Sequence, residues 1–165
     1  MARYTVTKWY SESRICYTRT MVKSISTTAS RPSSVVVVQR GEELHAALNA
    51  YAREHGLQGA WMQGLGGSGT VTLGFYDIET KTYEWNTFNT PLEIVNLTGD
   101  LTIVDGEPFW HVHGTFGTRE YQAIGGHVKE LVVGLTCEIL VTPLDAALTR
   151  TFDDETGLKL IRETA

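Results

Sequence analysis

The sequence has only two cysteines, Cys16 and Cys137, and no CxxC spacing, which excludes a disulfide-stapled scaffold and a cysteine-based zinc ribbon. It has no apolar run near the roughly 18 residues of a membrane-spanning helix; the longest, Val35 to Val38, reads as a buried strand. No secretory h-region is present, so no membrane partner is expected, and a reducing cytoplasm is the expected location. No internal repeat is evident. What remains is ordinary: 165 residues, 42% hydrophobic and 20% charged, enough for one globular domain that buries roughly two-thirds of the surface of its unfolded chain.

Basic residues are scarce where the chain looks folded. Residues 1–40 hold seven bases against the single acid Glu12, a charge of +6, so the remaining 125 residues carry −11 within the total of −5. Residues 1–33 show neither helical nor strand periodicity, are rich in Ser, Thr and Arg, and end in Ser30-Arg31-Pro32-Ser33. They read as a poorly ordered basic arm, compatible with a transit peptide, with Met21 as an alternative start. The domain is expected over 34–165.

That domain opens with a strand, Val35–Gln39. Glu42 and Glu43 then suit the positive end of a helix dipole. Leu44, Ala47, Leu48, Tyr51 and Ala52 recur at helical spacing, and Gly56 suits the position just past the helix end. One principal amphipathic helix is predicted over about 42–55, with His45 and His55 solvated. Strands are predicted at about 59–63, 69–77, 82–88, 92–104, 107–117, 122–128, 131–142 and 149–153, with a last apolar piece at 158–161. Asp77-Ile78-Glu79-Thr80-Lys81 and Asp105-Gly106 read as hairpin turns, and the nearly all-apolar stretch Val132–Val141 as a central strand covered on both faces. The class is α+β: a single compact domain with a mainly antiparallel or mixed sheet.

Gly64, Gly66 and Gly69 match GxGxxG. A dinucleotide site needs that loop to open a helix, but Thr70 to Tyr76 alternate as a strand. A tight glycine-rich bend, or backbone lining a pocket, fits better. His111-Val112-His113 is a different signal, because residues two apart in a strand project from the same face. A hairpin centred near Arg119 or Glu120 brings His127 opposite either His111 or His113. Three neutral imidazoles converging from two strands suit zinc or another borderline divalent ion, with a water position open. The alternative is that each is a half-buried strand histidine with an ordinary partner. Gly125 and Gly126 leave room for close approach of substrate or backbone.

The ordered stretches 92–99 (LEIVNLTG), 105–113 (DGEPFWHVH), Gly125-Gly126-His127 and 136–139 (TCEI) closely resemble the plant-and-prokaryote-conserved (PPC, or PCC) domain, over about residues 34–155. The resemblance implies a compact α+β domain that forms a homotrimer. It also implies that His111, His113 and His127 cluster, as do the matching histidines, which bind a metal in some bacterial members. More distantly the fold resembles acetolactate decarboxylase, a zinc enzyme. In plant members the domain follows an AT-hook, and the segment matching 91–95 makes protein contacts. Here Arg31-Pro32 lacks the preceding Arg-Gly, so no AT-hook is present.

These readings combine into a metal-binding homotrimer with a three-histidine site, zinc the expected ion, and room for a small ligand or for lyase- or hydrolase-like chemistry. Glu107, Arg119, Glu120 and Glu130 are the nearby acid/base or anchoring candidates. The second reading is a DNA-associated or regulatory protein. The −11 body argues against it, since non-specific DNA affinity is built from Lys and Arg contacts, and only the arm would contribute, weakly.

Overall fold

The computed structural model describes residues 27–161. Strand β1 (Ser34–Gln39) leads into helix α1 (Leu44–Glu54), and seven strands follow: β2 (Ala60–Asp77), β3 (Thr82–Phe88), β4 (Leu92–Val104), β5 (Glu107–Gly117), β6 (Ala123–Pro143), β7 (Arg150–Asp153) and β8 (Leu158–Ile161). All strand ladders are antiparallel. Six strands form one sheet in the order β1-β6-β5-β4-β2-β3, and β7 and β8 form a separate hairpin. Because β6 also pairs with β2, strands β2, β4, β5 and β6 close into a ring.

The helix forms where the apolar spacing predicts, and both ends are satisfied. Glu43 is the N-cap, its carboxylate accepting from Ala46 N at 2.7 Å. Gly56, at φ +59°, ends the helix in a Schellman turn, with Leu57 N donating to Ala52 O at 2.9 Å and Gly56 N to Arg53 O at 3.2 Å. Leu44, Leu48 and Ala52 bury one face of α1. That face joins a core supplied by Met62, Val71, Leu97, Leu101, Val112 and Phe116 from the ring strands. Burying each such side chain contributes about 1.5–3 kcal/mol, which fixes which face of each strand points inward.

Three expectations about the strands change. The stretch Gly64–Gly69 is not a bend between strands but the middle of β2, bulged where it pairs with both β4 and β6. Glycine is needed there for backbone contact: a Cβ on Gly66 would collide with the carbonyl of Thr136. Likewise 122–128 and 131–142 belong to a single β6. Neither Val35–Val38 nor Val132–Val141 is covered on both faces. Val35 is 67% and Leu135 73% exposed, while Val38, Val133, Ile139 and Val141 are buried. Register puts Val35, Leu140 and Gln63 in one row, and Val37, Glu138 and Leu65 in the next. The sheet therefore carries an exposed, partly apolar outer face that includes Trp61.

Residues 27–33, assigned to the arm by composition, form no helix or strand but lie along the body. Ser30 Oγ donates to Asp145 at 2.6 Å, Thr28 bonds the same carboxylate, and Arg31 reaches His55 O at 3.0 Å. The rest of the arm, with Met21 and Cys16, lies outside the described residues. Cys137 is a buried free thiol. No described helix is long and apolar enough to cross a membrane.

Candidate metal centre

Turn chemistry sets the histidine positions. Asp105 (φ 53°) and Gly106 (φ 85°) make the left-handed two-residue turn that suits the twist of a hairpin. That turn registers β4 against β5, with Asp100 opposite His111 and Thr98 opposite His113. At the other end of β5, Thr118 N donates to Gln122 O at 2.9 Å and closes the turn into β6. The resulting ladder pairs His113 with His127, one of the two registers the sequence allows. His127 also faces Gly74 of β2. The two glycines before it admit neighbouring backbone: a Cβ on Gly125 would lie 2.7 Å from Gly114 O, and one on Gly126 2.8 Å from Gly74 O.

His111, His113 and His127 thus come together, with one ring nitrogen from each within 4.8 Å of the others. Their ring centroids lie 4.9, 5.2 and 5.4 Å apart. His111 and His127 are half-buried and His113 is exposed. Burial, and then the charges of His111 and His113, push the His127 pKa down to about 4. Loss of hydration and the neighbouring His111 lower that of His113 as well. His113 and His127 therefore favour the neutral imidazole, the form that ligates metals. His127 Nδ1 is buried with no hydrogen-bond partner among the described residues, an arrangement that costs free energy unless something else satisfies the atom. Ligands about 2.0–2.1 Å from one zinc ion are at most roughly 4 Å apart, so small side-chain rotations suffice. The all-nitrogen donor set fits such an ion.

Around the cluster lie residues that periodicity does not reveal. Asp100, 7% exposed, holds its Oδ2 3.5 Å from His111 Nδ1. Its other oxygen accepts from Arg150 at 2.7 Å. Burial opposes ionisation of Asp100, but hydrogen bonds to His111 and Arg150 outweigh it and hold the carboxyl below its usual range. Arg150 comes from β7, and its Nε donates to Thr102 Oγ1 at 3.2 Å. Beside His127, Tyr83 and Trp85 stack at 4.5 Å, and Tyr83 lies 5.1 Å from the imidazole. Lys129 sits 4.8 Å over the Trp85 ring. Asp100 was findable: the Asp105-Gly106 turn alone places it across from His111. Arg150 had no local signal.

The other predicted candidates lie elsewhere. Glu107 pairs with Arg53 at 2.8 Å near the end of α1, and Arg119 and Glu120 are exposed in the β5–β6 turn. Glu130 is exposed opposite Thr72. His55 is solvated as expected, but His45 is half-buried and lies 3.3 Å from Glu43.

The chain is similar to several solved structures. A metal-containing protein from Archaeoglobus fulgidus is 30% identical, with a TM-score of 0.81 over 86% of this chain and 100% of that one. A Bacteroides thetaiotaomicron protein, named only as a candidate DNA-binding protein, is 29% identical, with a TM-score of 0.77 over 83% of this chain and 96% of that one. Acetolactate decarboxylase from Bacillus subtilis shares the fold alone: 14% identity and a TM-score of 0.51, over 68% of this chain and 53% of the enzyme. No curated protein matches the sequence. Residues 26–145 match the Plants and Prokaryotes Conserved (PCC) domain, and the chain belongs to that family.

Proposed function

We propose that this protein is a metal-binding PCC-domain homotrimer in which His111, His113 and His127 hold one divalent ion, zinc by donor type. The observation that carries the reading is the cluster itself, three imidazole nitrogens within 4.8 Å, with His127 kept neutral and its Nδ1 otherwise unsatisfied. Similarity to a protein named as metal-containing supports it. The carboxylate of Asp100 orients His111, as partners behind metal-bound histidines do. A bound ion would supply Lewis acidity and a lowered pKa for water. His113, exposed at the edge of the cluster, leaves that side accessible to ligand. The fold likeness to acetolactate decarboxylase does not by itself carry an activity.

The test is elemental analysis after gentle purification. About one zinc per chain is expected, and loss of most of it in His113→Ala. A protein that takes up no divalent metal, or one whose uptake ignores that substitution, overturns the reading.

The exposed apolar side chains of Val35, Val37, Leu65 and Leu140, in two rows on one sheet face, support self-association, since association would cover them. A DNA-associated role is the second reading, favoured by the label on the Bacteroides relative and opposed by the charge of the body.

A further inference from the structure

A cavity of about 310 Å³ opens beside His111 and His127, beneath the β7–β8 hairpin. This is the lower end of the range for small-molecule sites, roughly 300–1,000 Å³. Its lining combines two chemistries. Leu158 and Leu160 of β8, two residues apart and so on one face of their strand, supply apolar wall together with Val104 and the ring of Phe109. Arg150, the two histidines, Tyr83 and Lys159 supply the polar part.

Arg150 is built in rather than solvated. Its side chain is 8% exposed and its guanidinium lies 5.7 Å from the Phe109 ring centroid. It donates to Thr102 Oγ1, Lys159 O and Asp100 Oδ1, which among the described residues commits three of its five N–H groups. Lys159 lines the same cavity, and among the described residues its ammonium pairs with Asp105, which is 83% exposed. Exposed pairs of this kind contribute little, about 0–1 kcal/mol, so the ammonium is free to turn toward an anion at the mouth.

We infer that this cavity binds a small organic acid with one carboxylate and a compact apolar body. The carboxylate lies toward Arg150 and the histidines, and the apolar body packs against Phe109, Leu158 and Leu160. A phosphate ester or sugar fits less well, because Val104, Phe109, Leu158 and Leu160 offer no partner for further hydroxyls or charges. The inference rests on the metal-centre reading for the carboxylate's second partner, whereas Arg150 and the apolar wall are properties of the protein alone.

The experiment is calorimetric titration of the full chain with benzoate, acetate and benzamide, zinc content being measured on the same sample before and after chelation. Benzoate is expected to bind about tenfold more tightly than benzamide, which has its shape without its charge, as the loss of a charge-assisted hydrogen bond implies. It is expected to exceed acetate, which lacks the apolar body, by a similar factor. Phe109→Ala should weaken benzoate binding while leaving zinc content unchanged, and Arg150→Lys should weaken it by removing the planar fork. Equal binding of benzoate and benzamide, or of benzoate and acetate, overturns the inference, as does a Phe109→Ala variant that binds benzoate normally. If the protein holds no zinc, the metal reading fails separately. Benzoate binding that still depends on Phe109 and Arg150 in that sample would uphold the acid site, and its absence with and without zinc would end it.

Discussion

Asp100 and His111 face one another across the β4–β5 ladder, the carboxylate Oδ2 3.5 Å from the imidazole Nδ1. The same carboxylate holds Arg150, so one buried acid ties a candidate metal ligand to the β7–β8 hairpin. Asp100→Asn is expected to lower zinc affinity about 10–100-fold, the usual cost of losing a carboxylate behind a metal-bound histidine. Competition with a chromogenic chelator measures it. Asp100→Ala should in addition destabilise the fold by about 3–5 kcal/mol, because it leaves the guanidinium of Arg150 buried without its counter-charge. Zinc affinity unchanged in the Asn variant would mean that Asp100 serves Arg150 alone.

Glu43 links the helix N-terminus to pH. Burial works against its charge, but hydrogen bonds from His45 and from the Ala46 and His45 amides outweigh that and bring the carboxyl down from 4.5 to about 2. A depressed carboxyl contributes stability that is fully present above its unfolded pKa and is lost as pH falls toward the folded one. Wild type should therefore exceed Glu43→Ala by about 1 kcal/mol, the typical worth of an N-cap, at any pH above about 4.5. That gap should shrink between pH 4.5 and 2. Thermal unfolding followed by circular dichroism across this range checks it; a gap independent of pH would show that the cap acts without its charge.

Much of the site was legible because turn chemistry and side-chain alternation are local. The bounds of β3, β4 and β5 follow from alternation and the Asp105-Gly106 turn. The pairing of His113 with His127 was one of two registers, decided by a turn that closes through Thr118 and Gln122. Arg150 was not legible, because its partners Asp100 and Thr102 lie some fifty residues away and only the packing of β7 brings them together. The glycine-rich stretch misled for a related reason. Gly66 reads locally as a bend, whereas its role is the close passage of β6, distant in sequence. Leu140 and Val35 misled in the opposite sense: apolar composition suggested burial that a single chain does not provide.

That uncovered row yields the oligomer prediction. Light scattering at micromolar concentration should return about three times the chain mass of 18.3 kDa. Leu140→Arg places a charge in the row without touching the core, since Leu140 is 44% exposed, and should reduce the mass toward that of one chain. A native protein that scatters as a monomer would refute the trimer.

The DNA-binding label on a relative and the charges of this chain disagree, and titration against duplexes decides between them. Residues 34–165 carry eight bases and eighteen acids, a net −10. Three of the eight are already committed to carboxylates: Arg53 to Glu107, Arg150 to Asp100 and Lys159 to Asp105. A fourth, Lys81, donates to the Asp154 carbonyl. Non-specific DNA binding draws its free energy from counterions released by Lys and Arg at phosphates and reaches only about 10⁻⁴–10⁻⁶ M for competent proteins at physiological salt. A chain shortened to residues 34–165, its fold checked by circular dichroism, should show no binding under those conditions. The full chain should bind weakly through the +6 of residues 1–40, with steep salt dependence and equal affinity for AT-rich and GC-rich duplexes, because no AT-hook is present to enter the minor groove. Fluorescence anisotropy on both chains and both duplexes is the measurement. Sequence-selective binding by the shortened chain would place the recognition surface on the acidic body and make DNA the better reading of this protein.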